Sequence, residues 1–294
     1  MKTFLIVNPV SGKGEGSRLA TSLGERLRTA GESVAVIETH PDMDRFRQAC
    51  EAVCAEDRVV VIGGDGTFHY FLNAGVPFGQ AAFYGMGTAN VITVEFGLPS
   101  ELDAFVAMLR TGHTVPCLPG RTDDGTRFFM MYSFGIDAHV LTQVPQKLKN
   151  RIGKAAFSVA LAKSLFGYDY PPCALVLDDG RRIECTFAII SRFKHYGGAY
   201  AVTANADPES ARFAIVAQPR GGWRPAMGML WRAWRRQLDR DPGLIFAESS
   251  SVRLEWPDTP PPGQLDGDLF ARPVRELTVC DRPVPLIVPA QLPS

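Results

Sequence analysis

Three short glycine-rich segments contain the residues of this chain that are best suited to binding phosphate. They are residues 8–14, 63–67 and 85–90. Glycine allows a backbone to approach a ligand closely, and consecutive backbone N–H groups bind anions. Each segment also offers a hydroxyl group that can donate to a phosphate oxygen, on Ser11, Thr67 and Thr88. Asp65 is the one carboxylate in the second segment.

No standard nucleotide-binding fingerprint fits these segments. Residues 12–17 lack the third glycine of the dinucleotide pattern, and the chain has neither a P-loop nor a protein-kinase signature. A single glycine-rich turn is most often an ordinary loop. In an open parallel sheet, however, the loops that follow the strands gather at one edge, where helix N-termini also attract phosphate. The three segments together therefore predict a phosphate-binding site.

Each glycine-rich segment follows a short apolar run and precedes a stretch with helical spacing. Strands are predicted at residues 3–7, 33–37, 58–62 and 81–84. Helices are predicted at residues 17–29, 43–55, 68–74, 89–96 and 100–110. Short apolar strands that alternate with helices are typical of a mostly parallel sheet covered on both faces. We therefore predict an α/β domain over residues 1–119.

The pattern changes near residue 120, where strand signals dominate. Strands are predicted at residues 127–134, 174–177, 182–191, 212–217, 251–256 and 275–279. Helical spacing is convincing at residues 146–166 and 224–238 alone. This indicates a second domain over residues 120–294, an antiparallel β-sandwich.

The composition narrows the class of protein. Hydrophobic residues make up 46% of the 294 residues and charged residues 21%, as in ordinary globular proteins. Lys and Arg number 31, as do Asp and Glu, so there is no basic excess and we predict no nucleic-acid partner. The six cysteines include no Cys-x-x-Cys pair, which favours reduced thiols and a cytoplasmic location.

The apolar stretches predict no membrane-spanning segment. Residues 1–10 are interpreted as a first strand rather than a signal peptide, because Pro9 and Gly12 interrupt the apolar run. The longest helical apolar stretch, residues 155–166, is too short to span a bilayer and contains Lys163. Any membrane contact is therefore expected to be peripheral, at the inner face of the membrane.

The chain resembles the diacylglycerol kinase catalytic superfamily, which includes bacterial lipid kinases, sphingosine kinases and ceramide kinases and is distantly similar to NAD kinases. Residues 63–67, Gly-Gly-Asp-Gly-Thr, look like the nucleotide-binding signature of that family. Residues 8–14 match its first loop and residues 87–90 its third. In the second domain, residues 133–138 and the pair Gly197-Gly198 match further family segments. Residues 264–268, Gln-Leu-Asp-Gly-Asp, stand where the family carries Asp-Gly-Glu.

The resemblance implies a fold, a reaction and a binding site. It implies a NAD kinase-like α/β domain and a C-terminal β-sandwich, with ATP and Mg²⁺ in the cleft between them and a lipid alcohol as acceptor; the last residues can return to the first domain. The ligands of any bound metal stay unassigned. We assign to the nucleotide Asn8, Pro9, Ser11, Gly12, Thr39, Gly63, Gly64, Asp65, Gly66, Thr67, Gly87, Thr88 and Asn90.

Asp266 and Asp268 are the candidates for the general base and a metal contact. Asp268 matches the residue that the family uses as proton acceptor, although it is one methylene shorter than the usual Glu. An Asp-Gly-Asp sequence is otherwise typical of a turn. In the similar NAD kinases the residue corresponding to Asp65 is proposed as the base, so the role of Asp65 stays open. Asp137 is interpreted as structural.

The sequence departs from the family at several positions. His69 and Tyr70 stand where relatives often have Asn-Glu, and Val91 stands where many have Asp. A structural Mg²⁺ site of some bacterial relatives uses an Asp-Gly pair, which is Ser210-Ala211 here, so that site is not carried over. Because of these departures, a non-catalytic protein stays an alternative interpretation.

Two patches could contact an anionic membrane. One is the basic run Lys147, Lys149, Arg151 and Lys154, for which a solvated face is favoured. The other is a helical stripe of Trp223, Met227, Leu230, Trp231, Trp234 and Leu238, with Arg232, Arg235, Arg236 and Arg240 beside it. The stripe fits an interfacial helix, and it fits equally a helix packed on the sandwich. The packed helix is favoured, because most such stripes belong to a core.

The leading prediction is an ATP-dependent lipid kinase acting on a diacylglycerol-like or sphingoid alcohol. The alternatives are a kinase of a soluble acceptor such as NAD, and a non-catalytic nucleotide- or lipid-binding protein. A homodimer through an exposed sheet edge of the second domain is left open.

Overall fold

The computed structural model of the protein describes residues 1–143, 160–198, 200–235 and 237–290. The chain forms two compact units. The first unit contains Met1–Leu118, Gly197–Ala199 and Asp281–Ser294, and the second contains Pro119–Tyr196 and Tyr200–Cys280.

The first unit is built on a six-stranded sheet with the order β2-β1-β3-β4-β20-β5. Its strands are β1 (Thr3–Val7), β2 (Val34–Glu38), β3 (Arg58–Gly63), β4 (Gln80–Gly85), β5 (His113–Cys117) and β20 (Val284–Val288). The first four strands are parallel, and β20 runs parallel to β4 and antiparallel to β5. All residues of β1 and β3 are buried, as expected for strands with helices on both faces.

Six helices of the described chain connect these strands. They are α1 (Ser11–Gly14), α2 (Gly16–Thr29), α3 (Met43–Ala49), α4 (Asp65–Ala74), α5 (Val91–Phe96) and α6 (Leu102–Thr111). Helix α2 buries Ala20, Leu23 and Leu27, which lie on one face of the helix. Helix α3 ends at Ala49, six residues before the predicted end. The chain then turns back towards Asp57, whose carboxylate accepts the Cys54 N–H at 3.0 Å.

The second unit contains two six-stranded antiparallel sheets. Their orders are β10-β9-β16-β19-β6-β7 and β15-β14-β11-β8-β17-β18. The strands of the first of these sheets are β6 (Gly120–Thr122), β7 (Arg127–Phe128), β9 (Cys173–Leu177), β10 (Arg182–Cys185), β16 (Ser251–Glu255) and β19 (Glu276–Val279). Those of the second are β8 (Met131–Phe134), β11 (Phe187–Ser191), β14 (Phe213–Gln218), β15 (Ile245–Ser249), β17 (Gly263–Leu265) and β18 (Asp268–Phe270). A short hairpin joins β12 (His195–Tyr196) to β13 (Tyr200–Ala201).

One hydrophobic core joins the two antiparallel sheets of the second unit. It includes Leu175 and Leu277 from one sheet and Phe134, Ile190 and Ile215 from the other, all at most 1% exposed. The predicted fold class, an α/β domain with a mostly parallel sheet followed by an antiparallel β-sandwich, is therefore confirmed.

Two predicted strands of the second unit are each divided between the two sheets. The predicted strand 127–134 becomes β7 and β8, and the predicted strand 182–191 becomes β10 and β11. The second break falls at Thr186, whose N–H donates to the Gln218 carbonyl at 2.9 Å. A continuous hydrophobic stretch of sequence thus does not show where the chain passes from one sheet to the other.

The helices of the second unit are α7 (Ile136–Gln143), α8 at residues 160–167 and α9 (Trp223–Trp234), followed by a 3₁₀ turn at Leu238–Arg240. Part of the predicted helix 146–166 lies outside the described residues. The basic run Lys147, Lys149, Arg151 and Lys154 lies outside them too. No helix in the described part of the chain has the length and apolar character needed to cross a bilayer.

Candidate functional site

The three glycine-rich turns lie at the same edge of the first sheet. They follow β1, β3 and β4, which are consecutive neighbours in the sheet and run parallel. Backbone hydrogen bonds join them: the Asn8 N–H donates to the Ile62 carbonyl at 3.1 Å, and the Met86 N–H donates to the Gly63 carbonyl at 2.7 Å. The structure therefore brings together the three segments that the sequence predicted to meet.

Glycine suits these turns for two reasons, a close backbone contact at Gly87 and a left-handed conformation at Gly12. A Cβ atom on Gly87 would lie 2.9 Å from the Gly64 Cα. Gly12 has a positive φ of 59°, and a Cβ atom there would lie 2.5 Å from the Met86 Cε. A side chain at Gly12 or Gly87 would therefore collide with a neighbouring turn.

Two asparagines and Thr67 hold the shapes of the turns. The Asn8 side chain donates to the Thr67 Oγ1 at 3.3 Å and accepts the Val10 N–H at 3.2 Å. The Asn90 Oδ1 accepts the Gly87 N–H at 2.7 Å. Asn90 adopts a left-handed conformation with φ of 45°, which Asn tolerates better than most residues. These residues thus organise the site by fixing its backbone.

Asp65 links the second glycine-rich turn to the helix that follows the third. Its carboxylate accepts the backbone N–H groups of Val91 at 3.0 Å and Ile92 at 3.2 Å, which are the first two residues of α5. A carboxylate at a helix N-terminus is stabilised by the unpaired N–H groups and the helix dipole. Sequence reasoning placed Asp65 near the phosphates but did not predict this bond.

The N-terminus of α4 faces the edge where the turns meet. This ten-residue helix begins at Asp65, directly after Gly64. The first N–H groups of any helix have no intrahelical acceptor, and together with the dipole they favour a bound phosphate. Gly64, Asp65 and Gly66 are half-buried, whereas Gly87 and Thr88 are exposed. The edge therefore combines a helix N-terminus, which is suited to binding anions, with exposed backbone and hydroxyl donors at Gly87 and Thr88.

The other predicted nucleotide residues border the same edge. Pro9 and Ser11 are half-buried in the first turn. Thr39 follows β2, and its N–H donates to the Val7 carbonyl at 2.8 Å. Since β2 neighbours β1, Thr39 lies one strand beyond the first turn.

The departures from the family pattern in the first unit have structural explanations. The Tyr70 hydroxyl donates to the His40 carbonyl at 2.6 Å, and its ring lies 5.3 Å from that of Phe46 in α3. The Val91 side chain is buried, while its N–H donates to Asp65. The His69 carbonyl accepts the Asn73 amide at 2.9 Å, within α4. Tyr70 and Val91 therefore stabilise the unit that carries the turns.

The two carboxylates predicted to be catalytic have different surroundings in the second unit. Asp266 is buried, and its carboxylate accepts the N–H groups of Phe129, Met130 and Met131 at 2.8, 2.8 and 3.1 Å. Its φ is 52°, in the left-handed region. Asp268 is exposed at the start of β18. Asp266 is therefore suited to fixing the loop, whereas Asp268 lies at its surface.

A hydrogen-bonded network lies beside the loop that carries Asp266 and Asp268. The Asp137 carboxylate accepts the Tyr196 hydroxyl at 2.5 Å and also the hydroxyl of Ser133. The Gln264 side chain donates to the Ser133 Oγ at 2.6 Å and accepts the Gly267 N–H at 2.6 Å. The network thus connects Asp137 to the residue immediately before Asp268.

Burial controls the ionisation of this network. It raises the pKa of the Asp137 carboxyl above its ordinary value, despite the opposing hydrogen bonds from Ser133 and Tyr196. Burial and the neighbouring Asp137 raise the pKa of the Tyr196 hydroxyl well above its ordinary value. Tyr196 therefore stays protonated and acts as a donor. The structural interpretation of Asp137 omitted its connection to the Asp268 loop.

A buried arginine contacts the loop at residues 207–212. The Arg192 guanidinium donates to the backbone carbonyls of Asp207 at 3.3 Å, Pro208 at 3.0 Å and Arg212 at 2.5 Å. It donates to the Ser210 carbonyl as well. This loop therefore has an internal cation, and the sequence signal for it is an arginine directly after the apolar strand β11. Among the described residues, no group of three or more His, Cys, Asp or Glu side chains is arranged to hold a metal ion.

The fold is that of a known class of solved structures. A Bacillus anthracis str. Sterne protein assigned as a diacylglycerol kinase matches over 98% of this chain and 95% of its own, with a TM-score of 0.80 and 17% identity. An NAD kinase from Archaeoglobus fulgidus in complex with ATP matches over 98% of this chain and 93% of its own, with a TM-score of 0.51 and 13% identity. At such identities the likeness shows the fold alone.

Sequence comparison relates the first part of the chain to a kinase family. Residues 2–121 match the model of the diacylglycerol kinase catalytic domain. The "Probable lipid kinase YegS-like" of Klebsiella pneumoniae (strain 342) is 30% identical over 167 residues, which is 54% of this chain and 55% of the relative. The "Probable lipid kinase YegS" of Salmonella heidelberg (strain SL476) is 29% identical over 163 residues, 53% of this chain and 54% of the relative. The chain thus spans about half the length of the curated relatives it matches. The resemblance to the diacylglycerol kinase catalytic superfamily is thus confirmed, and residues 2–121 are the part of the chain that matches its catalytic domain.

Proposed function

We propose that this protein is an ATP-dependent phosphotransferase that transfers the γ-phosphate to the hydroxyl group of a lipid. The observation that carries this proposal is the meeting of three glycine-rich turns at one edge of a parallel sheet, beside the N-terminus of α4. Two comparisons support the choice of reaction and of a lipid acceptor. They are the match of residues 2–121 to the diacylglycerol kinase catalytic domain and the names of the relatives.

In this proposal the first unit binds the nucleotide. Backbone N–H groups of the three turns and of the start of α4 hold the phosphates, and Ser11, Thr67 and Thr88 supply hydroxyl groups at the same edge. Mg²⁺ in kinase sites is held by one or two carboxylates together with substrate phosphates, and Asp65 fits this donor set. When bound, the ion would neutralise charge on the transferring phosphoryl group.

In the second unit, Asp268 takes the proton of the acceptor hydroxyl. Asp268 is exposed, whereas Asp266 is buried and its carboxylate accepts three backbone N–H groups. Asp266 therefore acts as a positioning residue that fixes the loop before Asp268. Phosphoryl transfer depends mainly on positioning and charge stabilisation, so a rigid loop is itself a contribution to rate.

The proposal is tested by incubating the protein with Mg-ATP and a total lipid extract and searching for a phosphorylated product by mass spectrometry. Asp268→Asn is expected to lower kcat by about 10²–10⁴ with little change in ATP affinity, as for loss of a general base. Asp258→Asn, which alters another exposed loop carboxylate, is the matched control and should leave kcat unchanged.

A kinase of a soluble acceptor such as NAD is the second candidate function. The observation that favours it is the position of Asp65, a carboxylate at the start of α4 among the glycine-rich turns. If Asp65→Asn abolishes transfer while Asp268→Asn has no effect, the base lies in the first unit and this candidate gains. The same assays with NAD in place of lipid measure it directly. ATP binding without transfer to any acceptor would instead indicate a non-catalytic protein.

A further inference from the structure

Helix α9 exposes a row of large aromatic side chains. Trp231 is 57% exposed and Trp234 64%, and their rings lie 5.1 Å apart. Trp223 and Met227 extend the row along the same face and are exposed as well. The ring of Phe166, 71% exposed, lies 5.5 Å from that of Trp223. The favoured prediction that this stripe packs on the sandwich is therefore wrong for its tryptophans.

A different face attaches the helix to the second unit. Ala226 is buried, and Leu238 is buried in the 3₁₀ turn that follows the helix. Arg232 forms an ion pair with Asp241, which is itself buried. The helix is thus held by small and paired side chains, and its largest apolar side chains point to solvent. Burying Trp is worth more than burying Ala, so this orientation indicates a surface that becomes covered in function.

Arginines lie beside the exposed tryptophans. The Arg224 guanidinium lies 5.3 Å from the centre of the Trp223 ring, and that of Arg235 lies 5.8 Å from the centre of the Trp231 ring. Both arginines are exposed. Residues 220–241 contain six arginines and two aspartates, so this part of a neutral chain is strongly basic.

We propose that the α9 surface, defined as Phe166, Trp223, Met227, Trp231 and Trp234 with Arg224 and Arg235, docks on an anionic lipid bilayer. Tryptophan favours the region between hydrocarbon and headgroups, because one part of its ring system is apolar and its N–H needs a polar partner. Arginines at the edge of such a row are attracted to anionic headgroups. A helix with aromatic residues next to arginines has both of the features required for interfacial binding.

Charge argues against a second copy of the chain as the occupant. A two-fold contact would place the α9 surface against itself, so the arginines of the two copies would face one another. Like charges opposed across an interface are unfavourable. A bilayer that contains anionic lipid meets the same surface with the opposite charge. The choice of a bilayer rests on the proposed lipid acceptor, which lies in a membrane.

The tryptophans allow a direct test. Three of the four tryptophans of the chain lie in α9, and the fourth, Trp256, packs against the core of the second unit. The full chain, without ATP, is mixed with vesicles of phosphatidylcholine alone or of phosphatidylcholine and phosphatidylglycerol in equal parts. We expect co-sedimentation with the anionic vesicles that weakens with salt, and quenching of most of the tryptophan emission when the lipid chains are brominated.

Matched variants locate the contact. Arg224→Gln combined with Arg235→Gln is expected to weaken partitioning into anionic vesicles roughly thirtyfold. Trp231→Ala combined with Trp234→Ala should reduce both binding and quenching. The control combines Arg45→Gln with Arg253→Gln, which removes the same charge from exposed positions on other surfaces and should bind like the wild type. All side chains in these variants are exposed, so melting temperatures should change little.

Three outcomes would overturn the inference. In the first, the wild type ignores anionic vesicles at low salt. In the second, it binds them but the α9 variants bind equally well and no quenching occurs, which places the contact elsewhere. In the third, ultracentrifugation shows a dimer that Trp231→Ala dissociates, which makes the surface a protein interface.

Failure of docking and failure of the proposed function are distinguishable. Vesicle binding without phosphorylation of any lipid, even dispersed in detergent, supports docking and removes the kinase proposal. Phosphorylation of a detergent-dispersed lipid alcohol without vesicle binding removes docking and leaves the kinase proposal standing.

Discussion

For two carboxylates of this chain, residue type and motif did not predict the hydrogen-bond partners. Asp65 and Asp266 both lie in acidic glycine-containing segments that resemble catalytic motifs. In the structure Asp65 accepts two N–H groups of α5, and Asp266 accepts three from the chain at 129–131. The sequence identified both positions as important. It did not identify these partners, because they are 26 and more than 130 residues away in the chain.

Asp266→Asn is expected to destabilise the second unit. An amide offers one acceptor where the carboxylate offers two, so at least one buried N–H group loses its partner, at a cost of about 1–3 kcal/mol. Asn tolerates the left-handed conformation, so backbone strain does not confuse the result. Thermal unfolding measures the loss. Asp268→Asn, at an exposed position, is the comparison and should keep the wild-type melting temperature while losing activity.

The reverse pattern would change the assignment. If Asp266→Asn unfolds at the wild-type temperature but transfers no phosphate, then Asp266 takes part in the chemistry and is not a positioning residue. Kinetics and melting of the two variants together therefore separate the two roles.

Asp137 and Asp178 are expected to give stability profiles of opposite sign against pH. The pKa of Asp137 is raised by burial, so folding favours its protonated form. The stability that Asp137 contributes is fully present below its pKa in the unfolded chain, about 4. This stability is lost as the pH rises through the pKa of Asp137 in the folded protein. The pKa of Asp178 is lowered by hydrogen bonds from Ser250, so its contribution is present above about pH 4 and is lost as the pH falls.

Denaturant unfolding between acid and neutral pH measures these slopes. Asp137→Asn should remove the part of the unfolding free energy that falls with rising pH. Asp178→Asn should remove the part that rises with pH. Identical profiles for the wild type and Asp137→Asn would show that Asp137 is ionised in the folded protein at an ordinary pKa.

At the scale of elements, local patterns predicted the first unit better than the second. Strands β1 and β3 are short, fully buried and continuous in sequence, so apolar runs located them to within one residue. Strands β17 and β18 escaped prediction because each has three residues, too few to show alternation. The corners between β7 and β8 and between β10 and β11 depend on which sheet each half joins, and that is decided by partners far away in the chain.

The loop at residues 207–212 is expected to depend on Arg192. Arg192→Met would remove the guanidinium that four partly buried carbonyls now share. Each lost hydrogen bond of this kind costs about 0.5–1.5 kcal/mol. We expect a loss of roughly 3 kcal/mol or more in the free energy of unfolding, since several groups are affected. Arg212→Gln breaks a partly exposed ion pair with Asp178 and should cost about 1 kcal/mol or less.

The contacts of Arg192 also predict that this loop does not bind Mg²⁺. Because a guanidinium already contacts these carbonyls, Mg²⁺ alone should not raise the melting temperature of the wild-type protein. Calorimetry with and without the ion checks this. Stabilisation of the wild type by Mg²⁺, or an Arg192→Met variant as stable as the wild type, would contradict the assignment of Arg192 as the cation of the loop.

At the scale of the whole molecule, the chain does not divide into units at a single point. Strand β20 belongs to the first unit, although the second unit separates it from β5 in sequence. In the sheet it lies between β4 and β5. The family resemblance allowed the last residues to return to the first domain. No local signal places this strand between β4 and β5, however, because the apolar run 284–288 would suit an edge strand of either unit. The six-stranded sheet that presents the three glycine-rich turns is therefore complete only when residues 281–290 are present.

We therefore expect residues 1–118 expressed alone to lose cooperative unfolding and ATP binding, whereas the same residues joined by a linker to residues 281–290 should recover both. The removed strand buries Val284, Leu286, Ile287 and Val288, each at most 3% exposed, and its loss would leave β4 and β5 with unpaired edges. In the full chain, Leu286→Ala should cost about 2–5 kcal/mol, while Val36→Ala, at an exposed position of β2, should cost far less. Thermal unfolding and calorimetry with ATP measure both effects. ATP binding by residues 1–118 with the affinity of the full chain would show that β20 is dispensable for the nucleotide site.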